Sequence, residues 1–365
     1  MKILQVANFV SPKSGGLRTA IDALRNGYEE LGWSVYRITP FPDPERPLDV
    51  DGIRSFRVPT MHSYRVILER RRVQEIILSI APDVIELSDK STFSWLPRWA
   101  RENGIPCCVI SHERMDLNLR HAGVAGVPLR RMSRRWTRDI AANASRVVCA
   151  SRFASVEFEE IGIPIDFIPL GINLDSIKPI ASREIDDSKI EIVMCTRLSE
   201  EKKPHVGIEA VRLLSQYRKV HLTIMGDGPS RARLEELAQG LDVDFLGHIA
   251  DREKVLRIMG SANIVLNLGP VETFGLVTLE ALATGTPVIV ANSGASPELI
   301  TDECGRAVDT NAASVVQGIE EVVSFSDALT WEKCRFRAGQ FRSSSTISKF
   351  ASIYMELVKV PVYAR

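Results

Sequence analysis

The chain has 365 residues, 45% hydrophobic and 25% charged, with 46 basic side chains balanced by 46 acidic ones. That is the composition of an ordinary soluble globular protein, long enough for two domains with a core each. It excludes a disordered chain, a collagen, a coiled coil and a small disulfide scaffold, and the zero net charge argues against a nucleic-acid partner.

No run approaches the roughly 18 apolar residues of a membrane span. The N-terminal MKILQVANFV has one Lys and is interrupted by Gln5 and Asn8, so it reads as a first strand rather than a signal peptide. The six cysteines (Cys107, Cys108, Cys149, Cys195, Cys304 and Cys334) have no C-x-x-C spacing, and Cys149 and Cys195 lie in apolar runs as small buried hydrophobes do. A reduced, cytoplasmic protein without a structural metal is expected.

Along the chain, short β-rich runs alternate with helical periodicity. In the first half the predicted strands are Ile3–Ala7, Ser34–Ile38, Ile53–Val58, Val84–Leu87, Cys107–Ile110, Arg146–Cys149 and Ile165–Ile168. The helices are Leu17–Leu31, Tyr64–Ile80, Phe93–Asn103, Val127–Ala142 and Phe153–Ile161. A linker is predicted at Pro169–Ser188, from its prolines, glycine and polar tail. Beyond it come strands Glu191–Cys195, His221–Met225, Val243–Leu246, Ile264–Leu268, Val288–Val290 and Arg306–Val308. They alternate with helices His205–Tyr217, Arg231–Gln239, Arg252–Met259, Leu276–Ala283 and Pro297–Ile300, and helical patterns Ala312–Phe325, Thr330–Phe341 and Ser345–Lys359 end the chain. Strands spaced by helices imply parallel sheets, hence two doubly wound α/β domains, 1–171 and 172–344, with a last helix in 345–365 crossing back to the first. Such domains in series predict a site in a cleft between them, built by residues just after strands.

Four such places hold polar or glycine residues. Ser14-Gly15-Gly16 opens a helix after the first strand and is either a plain turn or a phosphate contact. Arg197 and Lys202, in CTRLSEEKKPHVGIEA, are either diphosphate ligands or a solvated basic turn paired with Glu200 and Glu201. Gly226-Asp227-Gly228-Pro229 is a tight turn that can also shape a nucleotide pocket. The most specific is GPVETFGLVTLEALATGTPVIV at 269–290. There Thr273, Phe274, Gly275 and Leu276 offer amides at a helix start. Glu272 lies just before them, and Glu280 lies roughly one and a half turns into the helix. Anion donors beside hydroxyl acceptors suit a sugar diphosphate better than a simple phosphate.

The segment 269–290, with Glu, seven residues, Glu, a small-residue turn and Pro-Val-Ile, resembles the signature of glycosyltransferase family 4. VMCTRLSEEKK resembles that family's Arg–Lys phosphate loop, MGDGP its Gly-Asp-Gly-Pro turn, VDFLGHI its base-reading segment and IPLGIN its approach to the linker. The resemblance implies the GT-B fold, two Rossmann-like domains facing each other across a cleft. It also implies a retaining hexosyltransferase that needs no metal or other cofactor, with a UDP- or GDP-sugar as donor substrate and a hydroxyl acceptor (a lipid-linked glycan, a phospholipid or a small metabolite).

By the same resemblance, Arg197 and Lys202 hold the donor diphosphate, with Gly226 in the adjoining turn. Glu280 accepts from the ribose hydroxyls, and Glu272 with the amides of Phe274 and Gly275 holds the transferred sugar. Gly16 touches the distal phosphate, the backbone near Ile249 meets the base, and His112, in VISHERMD, faces the donor sugar. Glu113, Arg114 and Asp116 follow it as candidates to orient it or contact acceptor. Two other classes share the fold: a sugar-nucleotide-binding protein without transfer, and a sugar-nucleotide epimerase.

Residues 117–138 carry Arg120, Arg130, Arg131, Arg134, Arg135 and Arg138 and no acidic residue. Arg131, Arg134, Arg135 and Arg138 share one helical face, Leu129, Met132 and Trp136 give an apolar flank, and Arg70-Arg71-Arg72 form a second basic cluster. These are candidates for an anionic membrane surface on the cytoplasmic side, for a soluble anionic acceptor, or for plain solvation.

Overall fold

The protein is described by a computed structural model covering residues 1–10, 15–58, 61–117, 126–178, 189–327 and 329–359. It divides into two compact units, Met1–Gly171 with Ser343–Arg365, and Ile172–Arg342. The first runs β1 (Lys2–Val6), α1 (Gly16–Glu30), β2 (Ser34–Ile38), β3 (Ser55–Val58), β4 (Met61–Ile67), α2 (Arg70–Ile80), β5 (Val84–Leu87), α3 (Leu96–Glu102), β6 (Cys107–Ser111), α4 (Gly126–Asn143), β7 (Arg146–Cys149), α5 (Arg152–Glu159) and β8 (Asp166–Phe167). Its six-stranded sheet has the order β2-β1-β5-β6-β7-β8, with every pair parallel. Helices on both faces explain why the strands read as continuous apolar runs: Ile3, Leu4, Val84, Ile85, Cys107 and Val109 are all fully buried.

The second unit runs β9 (Ile190–Cys195), α6 (Pro204–Leu214), β10 (Val220–Met225), α7 (Arg231–Leu237), β11 (Val243–Gly247), α8 (Arg252–Ser261), β12 (Ile264–Asn267), α9 (Leu276–Ala283), β13 (Val288–Ala291), β14 (Gly305–Val308), α10 (Ala312–Phe325) and α11 (Thr330–Gly339). Its parallel sheet has the order β11-β10-β9-β12-β13-β14. The chain therefore winds one way from β9 and the other way from β12. The reversal between these neighbours opens a crevice beyond their carboxyl ends, where ligands bind in such sheets.

The last helix, α12 (Ser343–Lys359), belongs to the first unit. Its Tyr354 hydroxyl donates to the fully buried Glu86 of β5 at 2.6 Å, alongside Tyr28 at 2.8 Å and the Gln5 side-chain amide at 2.8 Å. Burial pushes the Glu86 carboxyl up, against the pull of these donors.

Most predicted elements occur with ends shifted by a residue or two. The expected helix Tyr64–Ile80 is wrong in its first turn: Tyr64–Ile67 belongs to β4, antiparallel to β3 in a separate two-stranded sheet, and the helix starts at Arg70. The Asn8 side chain fixes this by accepting from the Ile67 amide at 2.9 Å and donating to its carbonyl at 3.3 Å. Pro297–Ile300 is a 3-10 turn, Ser296–Leu299, rather than an α-helix. In the predicted linker, Leu174–Ser176 forms a 3-10 turn, and 179–188 lies outside the described residues.

Candidate active site

The crevice of the second unit is walled by two loops. The first leaves β9, passes Arg197, and makes a 3-10 turn at Glu200–Lys202 before Lys203, in left-handed conformation, admits Pro204 at the start of α6. Fully buried Leu198 anchors it to the core, and Arg197 beside it is half-buried. The Gly226-Asp227-Gly228 turn grips its backbone: the Leu198 amide donates to the Asp227 carbonyl at 3.1 Å, and the Ser230 amide to the Leu198 carbonyl at 2.9 Å. Gly226 has φ 128°, and a Cβ there would collide with the Thr196 carbonyl oxygen. Its role in this structure is to let the turn lie against the Arg197 loop.

The second loop leaves β12 and runs through Glu272, Thr273 and the buried Phe274 to Gly275, which precedes α9 at φ 97°. In the first turn of α9 the Thr278 amide donates to the Gly275 carbonyl at 2.9 Å, and the helix dipole turns its positive end, with the amides that precede Thr278, to this loop. A third segment, 292–296, clasps the loop from behind. The Ala295 amide donates to the Glu272 carbonyl at 2.7 Å and the Ser293 hydroxyl to the Pro270 carbonyl at 3.1 Å. Asn267, at the end of β12, donates to the Thr278 hydroxyl at 3.0 Å and the Ser296 hydroxyl at 3.3 Å.

The two loops meet through their charges. Lys202 Nζ donates to Glu272 Oε2 at 2.6 Å, with both side chains only about a quarter exposed. Glu280 of α9 is mostly covered and pairs with Arg252 Nη2, from the first turn of α8, at 2.8 Å. Burial pushes the Glu280 carboxyl above its ordinary range despite Arg252. Burial and the nearby Glu280 charge push the Cys195 thiol, at the end of β9, up to about 12. Half-buried Ile249 lies in the turn between β11 and α8, whose N-cap Asp251 accepts from the Lys254 amide at 3.1 Å. Arg197, Lys202, Gly226, Ile249, Glu272–Leu276 and Glu280 thus belong to one unit, and all but Leu276 and Glu280, which lie in α9, are in loops at the carboxyl ends of β9–β12. Among the described residues, no group of three or more His, Cys, Asp or Glu is placed to hold a metal ion.

Gly16 and His112 belong to the first unit. Gly16 is the first residue of α1, behind Gly15 at φ 139°, while Ser14 lies outside the described residues. His112 follows β6 directly. Burial, reinforced by the Lys90 ammonium, pulls its imidazole down to about 4, so it is neutral at pH 7. Arg114 and Asp116 pair with each other at 2.8 Å.

The family model for "Glycosyl transferases group 1" matches residues 176–331, and that for "Glycosyltransferase Family 4" matches 14–176. Over 342 residues, 89% of this chain and 88% of the relative, the chain is 37% identical to a protein of Mycobacterium tuberculosis named GDP-mannose-dependent alpha-(1-6)-phosphatidylinositol dimannoside mannosyltransferase. The chain belongs to glycosyltransferase family 4. It is also similar to the alpha-monoglucosyldiacylglycerol synthase of Streptococcus pneumoniae, 28% identical over 80% of the chain and 71% of that protein. Among solved structures it shares its fold with a glycosyltransferase of Rickettsia africae, at TM-score 0.77, 21% identity and 98% coverage of both chains. An Anabaena protein solved with UDP-glucose gives TM-score 0.75 and 17% identity over 98% of this chain and 100% of that one. The architecture of this glycosyltransferase is GT-B, with two Rossmann-like α/β units.

The basic face of α4 is not as the sequence reading expects. Arg131, Arg134, Arg135 and Arg138 are exposed, but Arg134 has an acidic neighbour, Glu160, at 3.3 Å, supplied just after α5. Of the apolar flank only Met132 is exposed. Leu129 is buried, and Trp136 donates its indole N–H to the Lys90 carbonyl at 2.9 Å. Arg120 lies outside the described residues. Arg70, Arg71 and Arg72 are exposed on α2, with Arg70 over the Trp95 ring at 4.7 Å. Sequence reasoning missed the 292–296 clasp and Arg252. The clasp acts through backbone groups, and Arg252 through a helix that only the fold brings near Glu280.

Proposed function

We propose that this glycosyltransferase moves a mannosyl group from GDP-mannose to a hydroxyl of a phosphatidylinositol-type glycolipid, with retention of configuration and without a metal ion. The observation that carries the reading is the Lys202–Glu272 contact at the strand-order reversal. A cation suited to a diphosphate and an acceptor suited to sugar hydroxyls stand one hydrogen bond apart, as a sugar diphosphate requires. The choice of donor and acceptor rests on the 37% identical relative.

In this reading the donor takes the place of the internal pair. Its diphosphate draws Lys202, Arg197 and the amides opening α9, its sugar hydroxyls draw Glu272, its ribose hydroxyls bond Glu280, and its base meets the backbone near Ile249. Gly226 acts by holding the Arg197 loop in place. Gly16 takes the family's distal-phosphate role, and neutral His112 faces the sugar as a hydrogen-bonding group. Cleavage of the sugar C–O bond builds positive charge on the sugar and negative charge on the departing diphosphate. Lys202, Arg197 and the helix amides stabilise the latter. The acceptor hydroxyl attacks from the face the diphosphate leaves, and the leaving phosphate takes its proton. A lipid acceptor suits peripheral association, on the cytoplasmic side, of the exposed arginines of α4 and α2 with an anionic surface.

The test is turnover of GDP-mannose against UDP-glucose, with phosphatidylinositol mannoside in vesicles and with EDTA present. GDP release coupled to an α-linked mannolipid is expected. Turnover of the UDP-sugar alone, a β-linked product, or activity that returns only with magnesium would contradict the corresponding part of the reading.

A further inference from the structure

An ion pair in the interior of the first unit has no part in the chemistry proposed above. Lys90, in the segment after β5, is 2% exposed, and Glu157 of α5 is 7% exposed. Lys90 Nζ pairs with Glu157 Oε1 and donates to the Ser111 hydroxyl at 2.7 Å. The other carboxylate oxygen, Glu157 Oε2, accepts from the Met115 amide at 3.0 Å. The Ser111 hydroxyl donates in turn to the Glu113 carbonyl at 3.1 Å. Lys90 Nζ also lies 5.1 Å from the centroid of the Phe158 ring.

The hydrogen bonds of Lys90 and Glu157 therefore converge on one short turn. Ser111 and Glu113 flank His112 in sequence, and Met115 closes the turn. Stability alone is a poor reason for such an arrangement, since two apolar side chains of similar volume often serve a core as well as a buried ion pair or better. What the apolar replacement lacks is direction: a carboxylate and an ammonium fix backbone and hydroxyl groups at set angles, and an apolar pair fixes none. The turn lies at the carboxyl end of a parallel strand, the edge at which ligands are met in such sheets.

We infer that Lys90 and Glu157 are positioning residues, which hold the Ser111–Met115 turn so that His112 stays in one place for the transfer reaction while they themselves touch no substrate. The inference rests on the role of His112 proposed above. It also has an electrostatic side. The Lys90 ammonium is one of two causes that keep the His112 imidazole neutral, the other being burial. The charged and titratable groups around Lys90 are Glu113, Cys149, Asp116 and Arg114 besides Glu157; removing the ammonium takes away one of the two causes that hold the His112 imidazole neutral and leaves burial as the other.

The experiment compares the full-length protein with Lys90→Met/Glu157→Met, which replaces the pair by apolar side chains, and Lys90→Met/Glu157→Gln, which keeps an oxygen for the Met115 amide. Each is read by melting temperature, amide exchange at Met115, the NMR titration of His112, and kcat and donor KM. In the Met/Met variant, Met115 exchange should rise by about tenfold or more as its acceptor is lost. His112 should titrate at higher pH, and kcat should fall by about tenfold or more with donor KM within about twofold, because positioning is lost and the nucleotide residues lie in the other unit. The Gln variant should regain exchange protection and part of kcat, and it carries the test if the Met/Met variant does not fold. A folded variant with faster Met115 exchange but wild-type kcat would overturn the inference, and so would unchanged exchange. If the wild-type protein transfers no sugar at all, the proposed function fails, and exchange and titration still decide whether the pair holds the turn.

Discussion

Lys202 and Glu272, 70 residues apart in the chain, meet at 2.6 Å where the strand order of the second unit reverses. Each is the other's partner, so neither charge is left uncompensated at side chains that are only about a quarter exposed. A donor that engages both must separate them. In the proposed reading the two residues act as one functional element, and their substitutions are expected to be non-additive. Lys202→Met and Glu272→Ala should each lower kcat/KM by about 100-fold or more, and the double variant should lose much less than the product of the two. Steady-state kinetics on the four proteins gives the coupling, and strict multiplicativity would show that the contact plays no part in turnover.

Glu280 is expected to trade stability for binding. Its folded-state pKa is raised, so ionisation is disfavoured by folding. The stability this group contributes is present at low pH and is lost as pH rises through the raised value. Glu280→Gln should therefore raise the melting temperature at pH 7, and, if Glu280 holds the ribose as proposed, raise donor KM while leaving kcat less affected, because such a contact is made in ground and transition states alike. A variant that melts lower and binds donor normally would contradict both halves.

For His112 the sign is opposite. Its pKa falls from 6.5 to about 4 on folding, so below pH 6.5 the unfolded chain binds the proton first. This residue's contribution to stability is complete above pH 6.5 and is lost as pH falls toward 4. Activity should show no titration of His112 near 6.5. Comparison of pH–rate profiles for the wild type and His112→Asn tests this, and an acidic limb near 6.5 present only in the wild type would refute it.

The C-terminal helix is held by a buried polar junction as well as by packing. Tyr354→Phe deletes one donor to Glu86 and leaves a fully buried carboxyl short of a partner, which should cost about 1–3 kcal/mol. A lower urea midpoint at unchanged slope is the expected readout, and a midpoint equal to the wild type would show that the bond contributes nothing net.

If α4 meets an anionic bilayer, each exposed arginine adds about 1 kcal/mol of attraction near the surface. Changing Arg131, Arg134, Arg135 and Arg138 to Gln should abolish sedimentation with phosphatidylinositol-containing vesicles at physiological salt while donor binding persists. Arg134 should matter least, since Glu160 already neutralises it. Equal sedimentation of wild type and variant would place the attachment elsewhere.

Much of the fold was legible because parallel strands covered on both faces read as plain apolar runs, as Cys107–Ile110 and Val288–Val290 do. The candidate site was legible as a cluster because its pattern is local: Glu272, the glycine opening α9 and Glu280 lie within nine consecutive residues. What escaped is non-local. Tyr64–Ile67 carries residues compatible with either helix or strand, and Asn8, far away in sequence, helps decide for the strand. The Glu272 loop takes its shape from a backbone bond to Ala295, which no side-chain pattern announces. Lys90 and Glu157 lie 67 residues apart and are single charges in ordinary surroundings until the fold buries them together.

The central claim, that the crevice of the second unit holds a sugar diphosphate through Lys202 and Glu272, is tested most directly by calorimetric titration of GDP-mannose into the wild-type protein and into Lys202→Met/Glu272→Ala. The account predicts saturable one-to-one binding to the wild type in the presence of EDTA, weakened by about 100-fold or more in the folded double variant, the scale of a lost charge-assisted contact to phosphate together with a sugar contact. Equal affinity for both proteins would contradict it.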